Sequence, residues 1–177
     1  MSDRATQIID IAAKYTGLHE VASNASWSDP TLSPELIAMF KAAGWQSGWP
    51  YCITFAKAIW MKAYADDAAK LAWIKKCLSP SVMGSYNNPQ VRSMVTKNPT
   101  PGSIFFFQHG QTGNGHAGLV VSSSGSTMVT IEGNTSPGQA ASVAQDRQGD
   151  GIYKKTRNIV LVASSTALWC RGFLAPL

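Results

Sequence analysis

The chain has 177 residues, of which 45% are hydrophobic and 14% charged, and carries a net charge of +5. This is a globular mixture, long enough to bury a sizeable core, with no internal repeat and no apolar run that could span a bilayer. One domain over residues 1–177, in a monomer, is the expectation.

The chain starts Met1-Ser2-Asp3-Arg4 and moves straight into an amphipathic run with Ile8, Ile9, Ile11 and Ala12. It lacks the basic start, apolar stretch and cleavage site of a signal peptide. Synthesis in the cytoplasm without export by the general route is therefore expected. Apolar periodicity predicts helices over 5–15, 34–43, 52–64, 68–76 and 90–96, with stops at Gly17 and Gly44. Beyond residue 100 the pattern becomes β-like, over 103–108, 116–122, 126–132, 151–156, 159–163 and 169–174. Helices followed by strands predict an α+β domain in which an antiparallel sheet packs on a helix. The polar segment 136–150 reads either as a loop bordering a groove or as a plain surface connection.

Three residues at the ends of these elements carry chemistry. Cys52 ends Gly48-Trp49-Pro50-Tyr51-Cys52, where a turn gives way to a helical run. Pro50 suits a first helical position, which would put the thiol among unpaired N–H groups at the positive end of the helix dipole. Such a place lowers a cysteine pKa from about 8.5 to roughly 3.5–7.5. On that helix Phe55, Ala56, Ile59 and Trp60 form a core-facing stripe with the thiol, so Cys52 is expected to point at the sheet. His116 opens the run Gly115-His116-Ala117-Gly118-Leu119-Val120-Val121, and Glu132 closes the run Thr127-Met128-Val129-Thr130-Ile131-Glu132. A three-residue loop, Ser123-Ser124-Gly125, would join them as a hairpin and set His116 directly opposite Glu132. A register displaced along the strand would instead leave Asn134 or Thr130 nearer to the ring. A carboxylate there can hold one imidazole nitrogen and leave the other for a thiol.

These residues resemble the cysteine, histidine-dependent amidohydrolase/peptidase (CHAP) domains of bacterial cell-wall hydrolases and phage lysins. The resemblance is carried by Gly48-Trp49-Pro50-Tyr51-Cys52-Ile53-Thr54-Phe55, Pro101-Gly102-Ser103-Ile104-Phe105-Phe106, Gly115-His116-Ala117-Gly118-Leu119-Val120 and Ile131-Glu132-Gly133-Asn134-Thr135. Gly17-Leu18-His19-Glu20, Asn24 and the stretch Gly151-Ile152-Tyr153-Lys154-Lys155-Thr156-Arg157 are also similar to lysin-type members. It implies a papain-like arrangement with Cys52 as nucleophile, His116 as general base, Glu132 as the group orienting His116, and Asn134 as a further polar member of the site. Tyr51 stands where the family often has Trp, and is expected to keep an aromatic wall; Ser103 stands where it often has Asp. Some relatives carry a calcium-binding acidic loop before the cysteine. Residues 41–51 here contain no Asp or Glu, so no calcium is expected there, and no cofactor is expected elsewhere.

The implied chemistry is hydrolysis of an amide through a thioester, with backbone N–H groups at the helix start binding the oxyanion. Gln46 is either a further donor or a solvated loop residue. Trp27, Trp45 and Trp49 are candidate groove walls, whereas Trp60 and Trp73 fall on helical stripes and belong to the core. Lys75-Lys76, Lys154-Lys155 and Arg157 form small basic clusters suited to the acidic polymers of a bacterial wall. No nucleic-acid module is recognisable. Free thiols are expected at Cys77 and Cys170, although a bridge between them stays open, and no zinc spacing exists. The leading function is a peptidoglycan hydrolase, either an N-acetylmuramoyl-L-alanine amidase or a peptide endopeptidase, released by a holin or a specialised secretion system. The alternatives are a thiol acyltransferase or deamidase with the same triad, and a non-catalytic wall-binding module.

Overall fold

The computed structural model describes residues 3–138 and 149–177. Helix α1 (Arg4–Ala13) buries Ile8, Ile11 and Ala12, the spacing of one amphipathic face. Gly17 and Gly44, both at φ 94°, turn the chain out of the first two helices in the left-handed region that glycine adopts without steric cost. Between them lie a short hairpin, β1 (Glu20–Ala22) and β2 (Ser26–Trp27), and α2 (Leu32–Ala42). The hairpin strands are too short for a period of two to be legible in the sequence. After α3 (Cys52–Ala63), α4 (Ala68–Cys77) starts at Asp67, whose carboxylate accepts the Lys70 N–H. Two short helices follow, α5 (Val82–Asn87) and α6 (Pro89–Arg92), started by Ser81 and Asn88 side-chain caps. The helix expected over 90–96 is thus only the single turn of α6, and α5 was not anticipated.

Strands β3 (Ile104–His109), β4 (Gly115–Ser124), β5 (Thr127–Thr135), β6 (Gly151–Asn158) and β7 (Leu168–Leu174) form one antiparallel sheet in the order β6-β5-β4-β3-β7. Its alternation sorts two apolar sets. Ile104, Phe106, Ala117, Leu119 and Ile131 join the core built with α1 and α3, while Phe105, Phe107, Val120, Met128, Cys170 and Phe173 form a second cluster. Helix α3 is buried along its whole first two turns, from Cys52 to Trp60, rather than on one stripe. It lies against β4 and β5, and Gly133 permits the approach: a Cβ there would sit 2.8 Å from Phe55 Cβ. The result is the α+β, papain-like architecture, with the helices packed on an antiparallel sheet.

Two β expectations are corrected. Residues 159–163 form no strand; Val160, Leu161 and Val162 are exposed at 46%, 40% and 77% because β6 ends at Asn158 and no sheet face receives them. The β4–β5 turn contains two residues rather than three, since Ser124 pairs with Thr127 across Gly125-Ser126. A bulge between Val120 and Ser122 then resets the ladder to Val120↔Thr130 and Leu119↔Ile131. Continued from Leu119, this register sets Gly118, not His116, opposite Glu132.

No helix among the described residues is long and apolar enough to cross a membrane. The three cysteines are free and buried.

Candidate active site

Cys52 is the first residue of α3, and Tyr51 is its N-cap. Pro50 therefore precedes the cap instead of occupying the first helical position. Tyr51 provides no side-chain cap, so the N–H groups of the first turn keep their positive field for whatever lies at the helix mouth. What lies there is Cys52, a residue 7% exposed, whose sulfur faces the His116 side chain and the backbone N–H groups of Ala117 and Ile53. Burial pushes this thiol up. The His116 ring and its charge, with the two backbone donors, outweigh burial and hold Cys52 below the ordinary cysteine value.

His116 is buried at the start of β4, beside the ring of Phe105 at 6.0 Å. Its Nε2 lies 2.8 Å from Glu132 Oε2, leaving Nδ1 as the ring nitrogen for the thiol. Burial draws an imidazolium pKa down, yet hydrogen bonds to Cys52 and Glu132 raise this one well above the ordinary range. Thiol lowered and imidazole raised are both shifts in the direction that favours proton transfer from Cys52 to His116.

Glu132 reaches His116 diagonally. The expected direct opposition is two residues out of register, and an even slip keeps both side chains on the same sheet face, where a slip of one would have separated them. Gly118 makes the diagonal possible, because a Cβ there would lie 2.8 Å from Glu132 Cγ. Glu132 is fully buried. Thr130 Oγ1 donates to its Oε1, Arg157 Nε donates to Oε1 at 2.9 Å, and Arg157 Nη2 donates to Oε2. Burial would push the carboxyl up, but the Arg157 and His116 hydrogen bonds hold it well below the usual carboxylate range.

Arg157 was read from the sequence as part of a surface basic cluster. It is instead spent on Glu132, its side chain only 13% exposed. Lys155 is likewise buried, with Nζ donating to the carbonyls of Ser136, at 2.8 Å, and Gly138. Only the pairing of β6 with β5 reveals both, since it sets Lys155 opposite Thr130 and Arg157 opposite Met128.

The other proposed site residues separate. Asn134, 2% exposed with φ 55°, lines a cleft of about 620 Å³ together with Glu20, Asn24, Pro50 and Asp150. Its backbone N–H bonds the Tyr51 hydroxyl. Tyr51 has no exposed surface, so it is not a groove wall: its hydroxyl accepts from Trp27 Nε1 at 3.2 Å and donates to Glu20 Oε1 at 2.9 Å. Trp27 and Trp45 are also buried, packed with Phe40 and Tyr51 at ring separations of 5.1 to 6.2 Å. These aromatic rings are too large and apolar to leave in water when a core lies beneath them. Trp49 remains exposed at 42%, and Gln46 is exposed in the same turn; neither lines the cleft. Most of the expected groove loop, 139–148, lies outside the described residues. Among the described residues, no group of three or more His, Cys, Asp or Glu is placed to hold a metal ion.

Compared with known families, residues 42–134 match the CHAP domain. The chain belongs to the CHAP domain family. As a CHAP domain it is a hydrolase of the amidase/peptidase type, dependent on cysteine and histidine. No curated protein and no solved structure matches it. The matched stretch contains Cys52, His116, Glu132 and Asn134 and ends before Arg157.

Proposed function

We propose that this CHAP domain hydrolyses an amide bond of bacterial peptidoglycan, acting as an N-acetylmuramoyl-L-alanine amidase or a peptide endopeptidase. Residues 1–177 would act as one monomeric catalytic unit. The observation that carries the reading is the buried Cys52 at an uncapped helix start, beside a His116 ring held by Glu132. Cys52 is the nucleophile, His116 the proton carrier, Glu132 the group that fixes the ring, and Asn134 a polar group that lines the cleft.

In this reading the Cys52 thiolate, its proton already on His116, attacks the amide carbonyl carbon. The carbonyl oxygen becomes an oxyanion facing backbone N–H groups at the start of α3, where each donor contributes roughly 2.7–4 kcal/mol to such sites. Collapse breaks the C–N bond, and the amine leaves with the His116 proton. Water then gives a proton to His116 as its oxygen attacks the thioester, releasing the acid and the thiol. The exposed Lys75 and Lys76 support attraction to an anionic wall.

The test is digestion of purified peptidoglycan by wild type and Cys52→Ala, with the new termini identified by mass spectrometry. New free amines without new reducing ends, absent from the variant, are expected, and their identity names the bond. No new termini from the wild type would reject the reading and favour a thiol acyltransferase, deamidase or wall-binding role.

A further inference from the structure

Three strands converge on one buried carboxylate, and the third brings a group outside the family match. His116 on β4 and Thr130 on β5 each supply one hydrogen bond to Glu132, whereas Arg157 on β6 supplies two, one to each oxygen. This fork is the geometry in which a guanidinium fixes both the position and the plane of a carboxylate. A lysine in its place would supply the charge at one point and leave the plane free. We infer that Arg157 is a positioning residue for the Cys52–His116 pair, acting through Glu132. The inference rests on the catalytic reading above for its link to rate, although its effect on the thiol can be measured without any substrate.

The argument is one of charge as well as geometry. The groups facing Glu132 are the His116 imidazole from β4, the Thr130 hydroxyl from its own strand and the Arg157 guanidinium from β6; Cys52 follows behind His116 from α3. With the thiolate and imidazolium formed, two negative and two positive groups lie in a nearly water-free row. Without Arg157 the row carries an unbalanced negative charge, which a buried site relieves by taking up a proton. Whether that proton settles on Glu132 or on the sulfur, the thiolate becomes harder to form. Oε2 is also shared between His116 and Arg157, so the guanidinium stops the carboxylate from turning fully to either side.

A second opening reaches this group from behind. Arg157 lines a cavity of about 230 Å³ with Phe107, Asn158, Val160, Trp169 and Cys170. A small planar cation can therefore enter where the side chain has been shortened.

The experiment follows alkylation of Cys52 by iodoacetamide against pH, read on the Cys52 peptide by mass spectrometry so that Cys77 and Cys170 do not contribute. It compares the full chain as wild type, Arg157→Ala, Arg157→Met and Arg157→Lys, with folding checked by circular dichroism. The midpoint in Arg157→Met is expected to rise by about one pH unit, the size of one lost charge partner, with Arg157→Lys intermediate. Peptidoglycan hydrolysis in Arg157→Met should fall on the order of tenfold, the rate equivalent of a thiol shifted by about one pH unit. Guanidinium at concentrations too low to denature should restore alkylation of Arg157→Ala at neutral pH without accelerating the wild type. A folded Arg157→Met with an unmoved midpoint, or an Arg157→Ala variant indifferent to guanidinium, overturns the inference. If alkylation shifts as expected while the wild type cuts no wall amide, the peptidoglycan reading fails and the positioning role stands.

Discussion

Replacing Gly118 by alanine tests whether the diagonal reach of Glu132 to His116 sets the reactivity of Cys52. An ideal Cβ at this position would lie 2.8 Å from Glu132 Cγ, 2.8 Å from Phe105 Cε1 and 2.9 Å from the Ile131 carbonyl oxygen. Ordinary contact begins at 3.4 Å, so the new methyl is about 0.6 Å too close on every side. Phe105 is fully buried and packed on Phe107 with ring centres 4.7 Å apart, and Ile131 is fixed in the ladder. Glu132 is the neighbour left to give way. Overpacking of this kind costs about 1–3 kcal/mol of stability. Because misplacing a catalytic group by about 1 Å can cost on the order of a hundredfold in rate, a displacement near half that size should lower activity by about tenfold or more. Gly113→Ala is the control: nothing lies within 4 Å of a Cβ there, and its backbone is not left-handed. Thermal melts and the neutral-pH alkylation rate of Cys52 should both fall for Gly118→Ala and hold for Gly113→Ala. A Gly118→Ala protein with wild-type melting and wild-type alkylation would refute the packing argument.

Two further outcomes are expected. Burial raises the Glu132 pKa, but the Arg157 and His116 bonds more than reverse this, so the folded state binds the Glu132 proton more weakly than the unfolded chain. Its contribution to stability is therefore full above the unfolded value of about 4.3 and fades as the pH falls through the depressed folded value. The melting-temperature gap between wild type and Glu132→Gln should be widest above about pH 5 and shrink on acidification toward pH 3; a gap that stays constant would contradict it. Tyr51→Phe strips the buried Trp27 Nε1–H of its acceptor and Glu20 of a donor, which should cost about 1–3 kcal/mol in urea unfolding, and a loss under about 0.5 kcal/mol would show those bonds to be idle.

Much of the architecture is readable from periodicity because the long elements each bury a face. The helix beginning at Cys52 and the β-runs holding His116 and Glu132 are of this kind, and the structure brings their three side chains together. What stayed hidden depends on partners distant in the chain. The bulge after Val120 shifts the hairpin register by an amount no turn rule supplies. Arg157 looks like any other cation until β6 is laid beside β5. Tyr51, Trp27 and Trp45 share a composition suited equally to a groove and a core, and only packing assigns them to the core. The run 159–163 has strong β propensity but makes only isolated backbone bonds, from Ile159 N–H to Ser126 O and from Cys170 N–H to Val160 O, so no ladder forms and tertiary context overrides the local preference.

The helix that starts at Cys52 gives the chain a built-in latency. Until α3 has docked against the strand carrying His116, and the later strands have closed behind Glu132, the sulfur is an ordinary thiol with a pKa of about 8.5, mostly protonated at neutral pH. In the proposed reading the reactive sulfur therefore exists only in the assembled fold, and an unfolded copy carries an ordinary thiol.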